Sequence, residues 1–199
     1  MSFEDPSPEP VPGGRRKAGE DTPRIKGVAV ISVVGFLRGR KERSRELLPA
    51  RLHGYLDRKL LASSWFPEAD FRDLLKGLSR LVGGGGLRRV REMAIERATH
   101  DFRTYYKSML RPGDPAETLR RFSTLWKIYH STGSLRSEAL GPRESLLVLE
   151  EFPLLSRELA TVTEGHFLGA LKESGATGAT VEVVAFDPGE GTCSWRCRW

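Results

Sequence analysis

The sequence predicts an α+β fold in which helices pack on a small antiparallel sheet that ends in a C-terminal β-hairpin. Three observations predict it: several segments with helical spacing of apolar residues, a last segment with strict apolar–polar alternation, and an element order without regular strand–helix–strand repeats. The chain has 199 residues, of which 39% are hydrophobic and 29% charged. This composition is typical of a soluble globular protein with a sizeable core.

The N-terminal residues 1–25 predict a disordered tail. They carry five of the twelve prolines and few large apolar side chains. Such a segment cannot bury enough apolar surface to offset the entropy lost on ordering. We therefore expect one folded domain over residues 26–199.

Residues 27–36 are rich in Val and Ile and are apolar at nearly every position. This pattern favours a strand that is buried on both faces. The longest apolar run, residues 27–37, spans eleven residues, whereas a membrane-spanning helix needs roughly twenty. We therefore expect no membrane span, no secretion signal and a cytoplasmic protein.

Helical spacing of apolar residues then predicts helices over 44–61, 68–81 and 87–109, with four glycines at 83–86 as a flexible joint. A further helix starts at Asp114, where Asp is the N-cap, Pro115 the first position and Glu117 the third. Gly133 is its expected C-cap.

The last third predicts a strand over 145–150, a helix over 155–174 capped by Gly175, and a hairpin formed by 180–186 and 192–199. In the final strand, Cys193, Trp195 and Cys197 share one face. We expect this strand to be half buried.

Catalytic and metal signatures are not found in the sequence. The two cysteines lie about 13 Å apart on a strand, too far for a mutual disulfide, and are expected to be buried. The glycines at 83–86 are not followed by the Lys and Ser or Thr of a phosphate-binding loop. We expect a protein that is not an enzyme and binds no cofactor or metal.

The net charge of +6 is concentrated in two basic clusters. Arginines and lysines of this kind could contact phosphates, which makes a nucleic-acid-binding accessory protein the alternative function. The clusters lack interleaved aromatic residues, so they also fit a solvated surface. Their members are Arg38, Arg40, Lys41, Arg43, Arg45, Arg88, Arg89 and Arg91.

The helices at 87–109 and 115–129 carry the candidate lining of a small hydrophobic pocket against the sheet. Two alanines one helical turn apart let another element come close or leave room for a ligand. His166 falls on an apolar helical face, where a hydrogen-bonded core histidine is the alternative interpretation. The candidate residues are Ala94, Ala98, Phe102, Trp126, Tyr129 and His166. Alternatively, all six belong to an ordinary core.

Several motifs, in their order along the chain, resemble a paralogous family of unknown function that is found mainly in myxobacteria. That family is distantly similar to the 4-vinyl reductase domain, to TRAPP Golgi-transport subunits and to haem nitric-oxide-binding domains. The motifs are Trp65-Phe66-Pro67, Trp126-Lys127-Ile128-Tyr129 with Gly133, Glu164-Gly165-His166-Phe167 with Ser174-Gly175-Ala176, and a hairpin ending in Trp199.

The resemblance implies helices packed against a small antiparallel sheet, with a homodimer or a subunit of a larger complex as the functional form. The haem-binding branch uses a Tyr-x-Ser-x-Arg motif, and this chain has Tyr129 and Ser131 but Gly133 in place of the Arg. The acylated TRAPP subunits use an earlier cysteine that this chain lacks. The resemblance therefore favours a non-enzymatic sensor or scaffold module that acts through dimerisation or assembly, with a small hydrophobic ligand.

Overall fold

The structure is a computed structural model that describes residues 22–83 and 87–199. Its helices and strands confirm the α+β fold class and the C-terminal hairpin. In chain order they are β1 (Arg24–Lys26), α1 (Gly27–Arg38), α2 (Lys41–Leu47), α3 (His53–Asp57), β2 (Trp65–Pro67), α4 (Glu68–Gly83), α5 (Leu87–Thr104), α6 (Pro115–Arg120), α7 (Phe122–Tyr129), β3 (Ser134–Gly141), β4 (Glu144–Glu150), α8 (Arg157–Glu173), β5 (Thr180–Asp187) and β6 (Thr192–Arg198).

The main sheet has four antiparallel strands in the order β3-β4-β6-β5. Strand β6 is one of the two inner strands, and it buries Cys193, Trp195 and Cys197, as the alternation predicts. The indole Nε1 of Trp195 donates to the carbonyl of Ala160 at 3.0 Å. This bond satisfies the one polar atom of a fully buried indole and ties the sheet to α8.

Helices α5 and α8 pack in close contact through small side chains. A Cβ atom added to Gly165 would lie 2.6 Å from the Cβ of Ala94, and one added to Gly169 would lie 2.7 Å from that of Ala98. The alanines of α5 thus face the glycines of α8 at two successive turns. Of the two roles that the sequence leaves open for these alanines, close approach to another element applies to both.

The strand predicted over residues 27–36 is wrong: this segment is helix α1. Its buried residues Gly27, Val30, Val34 and Leu37 recur every three or four positions, as on one face of a helix. Because the remaining positions are also mostly apolar, periodicity alone does not separate a buried strand from a buried helix. The strand that does form, β1, lies just before the run and pairs with β2.

The helix predicted over 44–61 is interrupted. Leu48 is extended before Pro49, as the proline ring requires of the residue that precedes it. The chain continues as a 3-10 turn over Ala50–Leu52 and then as α3. Besides β1, the sequence analysis does not predict β2, which covers the Trp65-Phe66-Pro67 motif, or the edge strand β3.

The helix predicted over 87–109 ends at Thr104 and is followed by a 3-10 turn over Lys107–Met109. The N-cap prediction at Asp114 is confirmed, because its side chain accepts from the backbone N–H of Glu117 at 2.9 Å. The C-cap prediction at Gly133 is not, since α7 ends four residues earlier at Tyr129.

The tail predicted over 1–25 lies outside the described residues up to position 21, and so do positions 84–86 of the glycine joint. Arg24 and Ile25, which we placed in the tail, belong to β1, and Ile25 is buried. Over the described ranges, no helix is long and apolar enough to cross a membrane.

Candidate functional site

A cavity of about 160 Å³ lies among α1, α4, α5, α7 and α8. Its walls are mainly apolar, with Val33 and Phe36 from α1, Leu75 from α4 and Phe122 from α7 among them. The cavity therefore joins the N-terminal helices to the α5–α8 pair. An engineered protein cavity of about 150 Å³ binds benzene, so this space suits a small apolar molecule.

Most of the residues predicted to line a pocket do so. Ala98 is the exception, because it is fully buried against Gly169 of α8. The candidates that line the cavity are Ala94, Phe102, Trp126, Tyr129 and His166. The cavity lies between α1 and the other helices rather than against the sheet, since the segment that we had placed in a strand is helical. Whether these residues hold a ligand stays a prediction.

The sequence analysis missed two charged residues of the cavity wall. The guanidinium Nε of Arg97 donates to Oδ2 of Asp101 at 2.8 Å, one turn apart on α5. Oδ1 of Asp101 is buried and has no hydrogen-bond partner among the described residues. The signal was present in the sequence, because positions 97 and 101 fall on the same helical face as Ala94 and Ala98.

Two tyrosines form a second polar contact in the wall. The hydroxyls of Tyr106 and Tyr129 are hydrogen-bonded to each other. Burial raises the pKa of Tyr129 above its ordinary value, and the hydrogen bond with Tyr106 raises it further. Tyr129 therefore stays protonated and acts as a neutral polar group.

His166 presents an unprotonated ring nitrogen. Its Nδ1 lies 2.8 Å from the carbonyl oxygen of Val162, which can only accept, so Nδ1 carries a proton. Burial lowers the pKa of His166, although the bond to Val162 opposes this. The ring is then neutral, and Nε2 is an acceptor. This geometry partly supports the core-histidine interpretation, because one of the two nitrogens is bonded.

His130 is a further polar residue of the wall that the sequence analysis missed. Its Nδ1 lies 3.1 Å from Oε2 of Glu68, whose side chain is 1% exposed. The His130 ring stacks on Trp126 with the centroids 4.0 Å apart. A buried carboxylate is unfavourable unless it has a partner, and His130 is the partner of Glu68. The contact therefore holds the His130 ring in this position.

The basic clusters are largely paired with protein groups. Lys41 and Arg45 share Asp57, and Arg38 donates to two backbone carbonyls. Arg43 pairs with Glu46.

The second cluster follows the same pattern. Arg88 and Arg89 pair with Glu92, and Arg91 lies 2.5 Å from Glu164 of α8. Arg40 and Arg89, one from each cluster, line the same surface groove together with Glu96. Most of the other basic side chains of the two clusters are paired with acidic side chains or backbone carbonyls.

The cysteines do not contribute to the cavity wall. Both are free and buried in the sheet, as expected. Burial raises the pKa of Cys193 to about 12, so its thiol stays protonated and unreactive. Within the described ranges, no group of three or more His, Cys, Asp or Glu side chains could hold a metal ion.

No protein-family model and no curated protein matches the chain. Solved structures that it resembles are H-NOX domains, a name that stands for haem nitric-oxide-binding. One is an oxygen-binding H-NOX domain related to soluble guanylate cyclases, in its oxygen complex, with 14% identity and a TM-score of 0.62 over 87% of this chain and 94% of that chain.

A second is an unliganded Fe(II) H-NOX variant from K. algicida, with 10% identity and a TM-score of 0.63 over 87% of this chain and 96% of that one. A third comes from work on porphyrin distortion and haem redox potential, with 15% identity and a TM-score of 0.61 over 88% and 100% of the two chains. At such identities the likeness concerns fold alone. It bears out the haem nitric-oxide-binding part of the resemblance at that level: this chain has the fold of an H-NOX domain.

Proposed function

We propose that the protein is a non-enzymatic sensor module that binds a small, mainly apolar molecule in the cavity among α1, α4, α5, α7 and α8. The observation that carries this proposal is the cavity itself, about 160 Å³ in volume and walled mostly by apolar side chains. Apolar cavities of this size bind benzene-sized molecules. The similar solved structures include an oxygen-binding domain, which supports a ligand-binding role for the fold.

The position of the cavity suggests how binding is passed on. Helix α1 contributes Val28, Ala29 and Phe36 to the wall, whereas α8 contributes His166. A ligand in contact with both helices stabilises the arrangement in which they fit it, which shifts the population towards that arrangement. The output is then a change in the placement of α1.

The residues of the cavity do not fit haem, the group named for the similar solved structures. A volume of about 160 Å³ is below the roughly 300–1,000 Å³ of pockets for drug-sized ligands. Gly133, in the place of the motif's arginine, has φ +78°, and a Cβ there would lie 2.9 Å from Phe152. Arg97 is bonded to Asp101 and is not free to pair with a haem carboxylate.

Haem binding can be tested directly. We expect that haem added to the purified protein gives no stoichiometric change in the haem absorption bands. A histidine-ligated spectrum that disappears in His166→Ala would overturn this conclusion, because His166 has the tied Nδ1 typical of a metal-ligating histidine.

Binding of toluene tests the proposed function itself. We expect toluene to raise the melting temperature, because a ligand that binds only the folded state stabilises it by mass action. Ala29→Phe places a ring in the cavity and should abolish the shift. Ala50→Phe adds the same ring at an exposed position and should retain the shift. No shift in the native protein would count against the proposal.

We further propose that the module acts as a homodimer or within a larger assembly. The support is that Val183 and Val184 are exposed on β5, an edge strand of the sheet. Unpaired edge strands are sites of association. Size-exclusion chromatography with light scattering should give a mass above that of one chain, and a strict monomer at high concentration, with no partner in pull-downs, would contradict this part.

A further inference from the structure

The cavity has a polar region in a mainly apolar wall, and this region specifies the ligand further. It is formed by Arg97, Asp101, Tyr106, Tyr129 and His166. We propose that the ligand carries one uncharged hydrogen-bond donor, a hydroxyl or an N–H, on an apolar body, and that this donor binds Oδ1 of Asp101. The inference rests on the proposed function, because it concerns the same cavity.

Asp101 is the group with an unmet hydrogen bond. The Nε of Arg97 occupies its Oδ2 at 2.8 Å, whereas Oδ1 is buried without a partner among the described residues. Its side chain is 15% exposed. A buried carboxylate oxygen without a donor is unfavourable, so a ligand that supplies the donor gains more than an apolar one.

The other polar groups do not supply that donor. The hydroxyls of Tyr106 and Tyr129 bond each other, which uses one of their two protons, and neither hydroxyl forms a hydrogen bond with Oδ1 of Asp101. His166 uses its single proton on the carbonyl of Val162, and its Nε2 is itself an acceptor. Oδ1 of Asp101 therefore has no donor from the part of the chain that the structure describes.

The charges favour an uncharged donor over a cation. Arg97 already neutralises the charge of Asp101 in their ion pair. A cationic ligand would therefore gain little electrostatic attraction from Asp101. His166 carries no negative charge that could attract a cation. A hydroxyl or N–H satisfies Oδ1 without adding a charge to a low-dielectric site.

Phenol and toluene form a matched pair of probes, because they have nearly the same shape and differ by a hydroxyl in place of a methyl group. We expect isothermal titration calorimetry of the native protein to show tighter binding of phenol, although toluene leaves water more readily. Toluene bound as tightly as phenol, or more tightly, would overturn the inference but leave the proposed function intact. Binding of neither probe would overturn both.

One double variant assigns the preference to Asp101. Arg97→Met combined with Asp101→Leu removes both charges together, so that neither is left unpaired in the wall. The ratio of phenol to toluene affinity should fall by roughly tenfold or more in this double variant. An unchanged ratio overturns the inference. Equal affinity of the native protein for phenol and toluene also overturns it, because a bound water molecule would then already supply the donor to Asp101.

The matched control removes another ion pair of α5. Arg103 lies 2.8 Å from Glu173 of α8, and neither side chain lines the cavity. Arg103→Met with Glu173→Leu should keep the native ratio. Benzylamine, which is protonated at neutral pH, tests the charge: binding tighter than that of phenol would overturn the uncharged donor. If the double variant at 97 and 101 does not fold, the phenol–toluene comparison on the native protein still decides.

Discussion

His166 shows at the scale of a single residue how burial fixes a protonation state. The ring lies in the cavity wall, and its Nδ1 is committed to the carbonyl of Val162. Burial favours the neutral ring and lowers its pKa. The unfolded chain has an ordinary histidine there, with a pKa of about 6.5.

This difference predicts a pH dependence of stability. Below about pH 6.5 the unfolded state takes up a proton at His166 that the folded state refuses, so stability is complete above that pH and falls as the pH drops towards the lowered pKa. The loss is at most about 1.4 kcal/mol per pH unit for one proton. Urea unfolding between pH 7.5 and 5.5 should show a shallower decline for His166→Leu than for the native protein.

The exposed His100 provides the control for this experiment. Its ring contacts Tyr105 at the surface and does not line the cavity. His100→Leu should therefore keep the native decline with pH. Parallel declines for the native protein and His166→Leu would show that His166 is not the group that resists protonation.

At the scale of elements, the contact of α5 with α8 depends on residues without large side chains. Gly169 lies so close to α5 that a Cβ would be 2.7 Å from Ala98 and 3.2 Å from the carbonyl oxygen of Ile95. Backbone atoms cannot move aside as a flexible side chain can. The two helices would have to separate, and the cavity wall that they share would change with them.

Gly169→Ala and Gly35→Ala are predicted to change stability in opposite directions. The first overpacks a tight contact and should cost about 1–3 kcal/mol, more than the helix propensity gained. The second lies in α1, where a Cβ meets nothing within 4 Å, and should gain about 0.5–1 kcal/mol. Urea unfolding measures both, and a neutral or stabilising Gly169→Ala would contradict the close contact.

For the whole molecule, the net charge does not tell how many basic side chains are free to bind a nucleic acid. The sequence carries a charge of +6, yet the structure pairs most of the basic clusters with acidic side chains or backbone carbonyls. Asp57 alone lies next to Lys41 and Arg45, and these bases lower its pKa. A nucleic acid would have to compete with these contacts.

We therefore expect no retardation of a DNA or RNA duplex by the full chain in a gel at low salt. Phosphate binding by arginine and lysine is strongest at low salt, so this condition gives the alternative function its best chance. A shift that weakens steeply with added salt, and that is lost when Arg43 and Arg88 are changed to Gln, would restore the alternative.

The sequence by itself determined the elements that short-range patterns specify. Asp114 and Pro115 mark a helix start because a cap acts on neighbouring residues, and the alternation in β6 marks a half-buried strand because successive side chains point to opposite faces. The order of motifs also led to a resemblance that includes haem nitric-oxide-binding domains as one of three distantly similar groups, and solved structures of that group share the fold.

Only the tertiary structure decided the rest. Residues 27–36 form a helix because α1 is buried along one face by its packing on α4, a contact that no local pattern contains. Ala94 packs against Gly165 and Ala98 against Gly169, yet of the two only Ala94 also lines the cavity, although both have the same local sequence pattern. The polar region joins Asp101 to His166 across two helices, because long-range packing places residues far apart in sequence in one wall.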